Sequence, residues 1–362
     1  MNFGLSEEQL LLKSTIKRYL EEQCPTTRVR AIMESDSGHD PALWQGLVDL
    51  GIPGLIVPPA QGGSGLELLD LALAAEELGY AATPGPFLGT AMATIALLEG
   101  ADSAQRERWL PRIAGGAAIA TIAFGEADGE WNPNAFTTRA ANGALRGSKP
   151  LVPSAATADL IVVAARDDAG AGLWAVERGA KGIEITPLKV VDMTRHVAAV
   201  QFHDTPAVKL GGSAAAVQRT LDAGCVLLAA DAYGGARRCL DMAAQYALQR
   251  EQFGQVIGAF QAVKHQLANM AAELEPSLAL YWYAAHAFDR IRDQSERHAA
   301  LAKAHLTDVF DRLVRDSTEL HGGIGFTWEF DLHLWFRRAV FDRSFLGDAA
   351  FHRARAADLA GW

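Results

Sequence analysis

The spacing of apolar residues changes character twice along the chain. Near the N-terminus Leu12, Ile16, Tyr19 and Leu20 recur at helical intervals, and "LELLDLALAAEELGY" repeats that rhythm. Gly and Pro clusters in "IPGLIVPPAQGGSG" and "GYAATPGP" stop the helices. The pattern then turns to short β-rich runs, "LIVVAA", "GLWAVE", "GIEITPL" and "AAVQFHD". Asn142-Gly143 between such runs predicts a hairpin, because both central residues of a type I′ turn need positive φ. Later Leu306, Val309, Phe310 and Leu313 fall at i, i+3, i+4 and i+7, the stripe a bundle helix turns to its core. The expected fold is therefore α+β and multidomain: an N-terminal helical bundle over 1–118, a middle antiparallel β domain over 119–210 and a C-terminal helical bundle over 211–362. Runs of each kind, rather than alternation, exclude a doubly wound parallel sheet.

Composition narrows the function. The 362 residues are 49% hydrophobic and 21% charged, enough for a sizeable core. A formal net charge of −10 argues against a sequence-independent nucleic-acid binder. Cys24, Cys225 and Cys239 are odd in number and form no CxxC pair, which suits buried thiols in a reducing compartment, with the cytoplasm as the expected location. The opening "MNFGLSEEQ" lacks a secretory pattern, and no apolar run is long enough to span a bilayer, so no membrane insertion is expected. Arg337, Arg338, Arg343 and Arg353 form a basic patch that reads either as a site for a phosphorylated cofactor or as a solvated helix face.

Two stretches carry candidate chemistry. In "YALQREQFGQVIGAFQAVKHQLANMA" Arg250, Phe253, Phe260 and Gln261 combine a permanent cation, aromatic faces and an amide, a set able to grip a pyrophosphate and a ring edge. The plainer reading makes the two phenylalanines core staples between helices. In "LHGGIGFTWEF" Gly322, Gly323 and Gly325 allow close backbone approach to phosphate oxygens, or simply cap a helix.

Taken together, "RxxFGxxIxxFQxVxxxLAxM" from Arg250 to Met270, "HGGxGF" from His321 to Phe326, "LGIPGLIVPPAQGGSGLELLDLALAAEELG" from Leu50 to Gly79 and "ERWLPRIAGG" from Glu107 to Gly116 resemble the acyl-CoA dehydrogenase family over nearly the whole chain. The resemblance implies a flavoprotein that binds FAD between the β domain and the C-terminal bundle, partly through a neighbouring subunit. By that match Arg250 and Phe253 reach a neighbour's FAD, and Gln261 contacts its adenosine end. Gly322, Gly323 and Gly325 form the pyrophosphate turn, and Asp348 to Ala350 close over the dinucleotide. The implied reaction is α,β-dehydrogenation of an acyl-CoA thioester, in which a carboxylate takes the α proton while hydride leaves to the flavin.

The chain departs from the family at the base. The usual catalytic glutamate falls on Leu346, and the earlier-helix alternative falls on Gly224-Cys225. The flavin loop aligns with "GEADGEWNP", Gly125 to Pro133, and a threonine that bonds the flavin aligns with Pro153, which brings neither hydroxyl nor N–H. The resemblance is therefore to the degenerate chain of α2β2 sterol side-chain acyl-CoA dehydrogenases, serving a partner's FAD. The alternatives are a homotetramer with a shifted base, at Asp348 or at Glu126, Asp128 or Glu130, and a scaffold without redox chemistry. Asp348 also reads as the N-cap of the last helix.

Overall fold

The computed structural model describes residues 4–212 and 214–362; the side chain of Asp128 lies outside the described residues. Ser6 caps α1 (Glu7–Gln23) in a reciprocal capping box with Gln9. There follow α2 (Thr26–Met33), α3 (Pro41–Asp49), α4 (Leu68–Tyr80), α5 (Phe87–Gly100) and α6 (Ser103–Ala114). The strands of the main sheet are β1 (Ala120–Ala123), β2 (Arg139–Ala141), β3 (Ala144–Pro153), β4 (Leu160–Asp167), β5 (Gly170–Glu177), β6 (Ile183–Leu188), β7 (Val197–Pro206) and β8 (Val208–Lys209); Glu251–Gln252 and Gln255–Val256 pair as a separate short hairpin. The chain ends in α7 (Ala214–Gln249), α8 (Gln261–Arg290), α9 (Arg292–His321), α10 (Leu332–Ser344) and α11 (Ala349–Leu359). No helix among the described residues is long and apolar enough to cross a membrane.

The order of helices, sheet and helices follows the sequence pattern, but the sheet is mixed rather than antiparallel. Its order is β6-β7-β3-β2-β4-β5-β8, and both β1 and β2 run parallel to β4. Hairpins force their own strands to be antiparallel, whereas β1 enters directly from the helical region, packed against α5, with no hairpin to constrain it. As in other parallel strands covered on both faces, every residue of β1 is buried. The Asn142-Gly143 hairpin is present, with φ of 51° and 75° at its two central residues.

The first and last helical regions meet where α4 crosses α7. A Cβ on Gly79 would lie 2.2 Å from the Asp231 carbonyl, and one on Gly234 would lie 1.9 Å from that of Glu76. Only glycine lets the two backbones touch there.

Beside this crossing a buried ionic junction ties all parts of the chain together. Arg338 of α10 grips Asp231 of α7 through Nε and Nη2 at 2.8 and 2.6 Å, and its Nη1 reaches the Thr83 carbonyl and Thr194 Oγ1 at 3.2 and 3.0 Å. Arg195, from the segment between β6 and β7, reaches the same Asp231 at 2.8 Å and also pairs with Asp342. Burial alone would raise the Asp231 carboxyl, but Arg195 and Arg338 outweigh it and hold it down to about 2. Removing one member leaves uncompensated charge in the interior, so Arg338→Met is expected to lower unfolding free energy by about 3–5 kcal/mol, read from urea midpoints.

A second buried group sets a pH dependence. Glu76 accepts from Lys13 Nζ and Tyr281 Oη at 2.6 and 2.5 Å, while Glu77 beside it lies 3.6 Å from the same lysine. Burial, helped by Glu76, pushes the Glu77 carboxyl up to about 7. Between the unfolded value and 7 the native state keeps a proton the unfolded chain has lost, so this contribution to stability is full at acid pH and falls as pH rises through 7. Glu77→Gln should accordingly stabilise the protein by up to about 3 kcal/mol at pH 8 and leave it little changed near pH 4, as measured by urea unfolding at both values.

Candidate functional site

At one end of the bundle α7 and α9 finish together while α8 begins. Ser317 Oγ donates to the Cys239 carbonyl at 2.9 Å, and Tyr246 lies against His321 with ring centroids 4.5 Å apart. His321 Nδ1–H donates to the Ser317 carbonyl at 2.6 Å, and the Phe330 ring also packs against the imidazole, at a centroid distance of 4.6 Å. Arg250 and Gly322 follow these residues directly, so the two sequence motifs share one end of the fold.

The groups presented there face outward. Arg250 and Gln261 are exposed, and no hydrogen bond or ion pair to the Arg250 guanidinium is found among the described residues. Phe253 is 93% exposed at φ 55°, which rules out the reading of it as a core staple; its ring meets Phe260 edge-on at 6.2 Å. Gln261 opens α8, whose N-terminus has no side-chain cap, so its free N–H groups point positive potential outward. Gly322 has φ 62°, and a Cβ on Gly322 or Gly323 would meet nothing within 4 Å. Gly325 is different: a Cβ there would lie 2.7 Å from the Thr318 carbonyl oxygen, so only glycine packs in that place.

The segment between α10 and α11 is built the other way. Leu346 is fully buried with φ 64°, a strained conformation for a bulky side chain. A Cβ on Gly224 would lie 2.5 Å from Leu346 Cδ1 and 2.6 Å from Met92 Cε. The two positions at which a base is expected are thus neighbours, one filled by leucine and the other left small to admit it. Lys303, fully buried, holds this turn by donating to the Gly347 and Arg343 carbonyls at 2.9 and 3.3 Å, and burial draws its ammonium down to about 8. His352 Nε2–H donates to the Leu346 carbonyl at 2.9 Å; burial, with Lys303 and Arg355 nearby, draws the imidazole down to about 3, so it is neutral. Burial pushes the Cys225 thiol beside it up to about 12, which makes it an inert packing group.

The carboxylates near this segment are already engaged. Asp348 is exposed and caps α11, accepting from Phe351 N at 2.8 Å. Glu126 accepts from Thr137 N and Oγ1 and from Thr138 N at 2.5, 2.6 and 2.8 Å, with Lys149 Nζ at 3.0 Å. Glu130 Oε1 accepts from Asn132 N at 2.7 Å. The basic patch also dissolves: Arg338 is in the core, Arg343 and Arg353 both pair with Asp308, and Arg337 lies over Trp328. Lys149, Lys303 and Trp131 are the site residues that spacing did not mark. The first two are buried cations, and local pattern assigns lysine to the surface.

The model for "Acyl-CoA dehydrogenase, N-terminal domain" matches residues 6–117, and that for "Acyl-CoA dehydrogenase, C-terminal domain" matches residues 211–360. The chain is 34% identical to "Acyl-CoA dehydrogenase IpdE2" of Mycolicibacterium smegmatis, over 95% of this chain and 96% of that one. It superposes on the "Tcur3481-Tcur3483 steroid ACAD" with a TM-score of 0.91 at 30% identity, covering 98% of each chain. The "ChsE4-ChsE5 complex from Mycobacterium tuberculosis" shares the fold at a TM-score of 0.90 and 24% identity, over 100% of this chain and 99% of that one.

Because Asp348 acts as a cap, its substitutions should sort by hydrogen-bonding ability. Asp348→Asn is expected to leave thermal stability nearly unchanged, whereas Asp348→Ala should cost about 1 kcal/mol, measured by denaturant unfolding.

Proposed function

As the chain belongs to the acyl-CoA dehydrogenase family, we propose that it is the base-lacking subunit of a hetero-oligomer, completing the FAD site of a catalytic partner chain that dehydrogenates an acyl-CoA. The observation that carries this reading is the contact between Leu346 and Gly224, which fills with hydrocarbon the two positions at which the family places its glutamate. Without a carboxylate in either place nothing there can take the α proton. The naming of a similar solved assembly as a steroid acyl-CoA dehydrogenase of two gene products supports both a partner chain and a steroid-bearing thioester as the substrate class.

FAD fits one part of the chain and not another. At the exposed end Arg250 would pair with phosphate oxygens of a neighbour's dinucleotide, and Phe253 and Gln261 would contact its adenosine portion. The open side of Gly322 and Gly323 would let the backbone approach the pyrophosphate. The bound flavin supplies the hydride acceptor of the reaction. On the inner side the donors do not suit a flavin ring: Pro153 has no N–H, its carbonyl already accepts from Thr121 Oγ1, and Leu346 is apolar.

Purification of the chain alone and after co-expression with a catalytic acyl-CoA dehydrogenase chain tests the proposal. Flavin absorbance and acyl-CoA oxidation are expected only in the mixed complex. Arg250→Ala in this chain should weaken flavin retention there by roughly tenfold or more, the scale of a lost charge-assisted hydrogen bond. Stoichiometric FAD and turnover in the lone chain would defeat the reading, and loss of that turnover in Asp348→Asn would identify a shifted base.

A further inference from the structure

Sequence resemblance aligns the loop from Gly125 to Pro133 with the flavin loop of the family, and Leu346 with the position of its glutamate. Here the two are in contact. Trp131 is buried, its ring edge-on to Phe345 at a centroid distance of 5.3 Å. The indole lies on Gly125 so closely that a Cβ there would meet it at 2.3 Å. Phe345 stacks on Phe341 at 5.0 Å, and the Arg195 guanidinium of the buried junction lies 4.8 Å from that second ring. Leu346 continues the same packed wall onto Gly224 and Met92. A cavity of about 370 Å³ opens nearby, lined by Asn132, Pro133, Leu221, Phe351 and Arg355 among others, but Trp131, Gly224 and Leu346 do not line it.

The loop that carries Trp131 is tied at its base. Glu126 takes both backbone N–H groups of Thr137 and Thr138 and is paired with Lys149. Lys149, fully buried, also donates to the Phe124 carbonyl at 2.7 Å and sits 3.9 Å over the Phe136 ring. Burial raises Glu126 and lowers Lys149, but their mutual attraction and the threonine hydrogen bonds hold the carboxyl down to about 2. An ion pair with every member satisfied fixes one geometry, because opening the loop strands two charges in the interior.

We propose that residues 125–138 form a built-in stopper, in which Trp131 fills the place of the chain's own flavin ring and the Glu126–Lys149 pair latches it there. It rests on the family reading above and deepens it: the inner site is not worn open but replaced by core, and the chain folds around it without flavin.

Hydrogen–deuterium exchange tests the latch directly, on the lone chain with and without excess FAD and on the complete complex. The Thr137 and Thr138 amides are expected to be equally protected in all three. Glu126→Gln should speed their exchange tenfold or more while the flavin content of the complex stays the same. Should that variant fail to fold, Trp131→Phe in the wild-type background isolates the Trp131 fluorescence, which FAD is expected not to quench. FAD-dependent exchange in 125–138, quenching of Trp131, or two flavins per pair of chains would overturn the stopper while leaving a partner chain possible. A chain that never supports flavin binding in any complex, yet keeps the loop protected, would remove the partner reading and leave the stopper standing.

Discussion

Two buried arginines converging on Asp231 decide how the rest of the molecule can be arranged. Arg338 comes from α10, Arg195 from the segment leading into β7, and Asp231 from the middle of α7. Each arginine loses its hydration on burial, which the shared carboxylate, Asp342, Asp192 and the local carbonyl and hydroxyl acceptors compensate. The sheet therefore docks against the two helical regions in a single register. In that register Arg195 lies over Phe341, which stacks on Phe345, and Trp131 of the Gly125–Pro133 loop meets Phe345.

With that frame fixed, the two ends of the site diverge in chemistry. The outer end keeps an exposed aromatic ring, a helix start without a side-chain cap, an open glycine turn, and an Arg250 guanidinium with no hydrogen bond or ion pair among the described residues. The inner end is dense with hydrocarbon, and Glu126, Lys149, Lys303 and His352 Nε2 find their partners within the chain. An exposed Phe253 has no stabilising role in an isolated chain, because apolar area left in water contributes nothing to folding. Its position gains meaning only if another surface covers it.

Much of this was legible in the sequence wherever the information is local. The Leu306–Leu313 stripe is buried in α9, the Asn142-Gly143 turn closes its hairpin, and the four β-rich runs became β4 to β7. The absence of a glutamate at 346 and 224 was readable, but their mutual contact was not, since 122 positions of chain separate them. Nor did local pattern reveal β1: "ATIA" is too short and too small to stand out, and its parallel pairing with β4 is a long-range event. The arginines near the C-terminus looked like one patch because they are close in sequence. Helical geometry sends Arg338 inward and leaves Arg343 and Arg353 to share Asp308. Lys149 and Lys303 escaped for the same reason, as their partners, Glu126 for one and the Arg343 and Gly347 carbonyls for the other, lie far along the chain.

The fit of Leu346 against Gly224 also bears on which side chains either position can accept. A glutamate introduced at 224 alone collides with the leucine, and one introduced at 346 alone brings a charge into a pocket shaped for hydrocarbon beside Met92. Each residue thus makes reversal at the other unfavourable by itself. The pair behaves as a ratchet: a carboxylate at either position is disfavoured until the other position has changed as well.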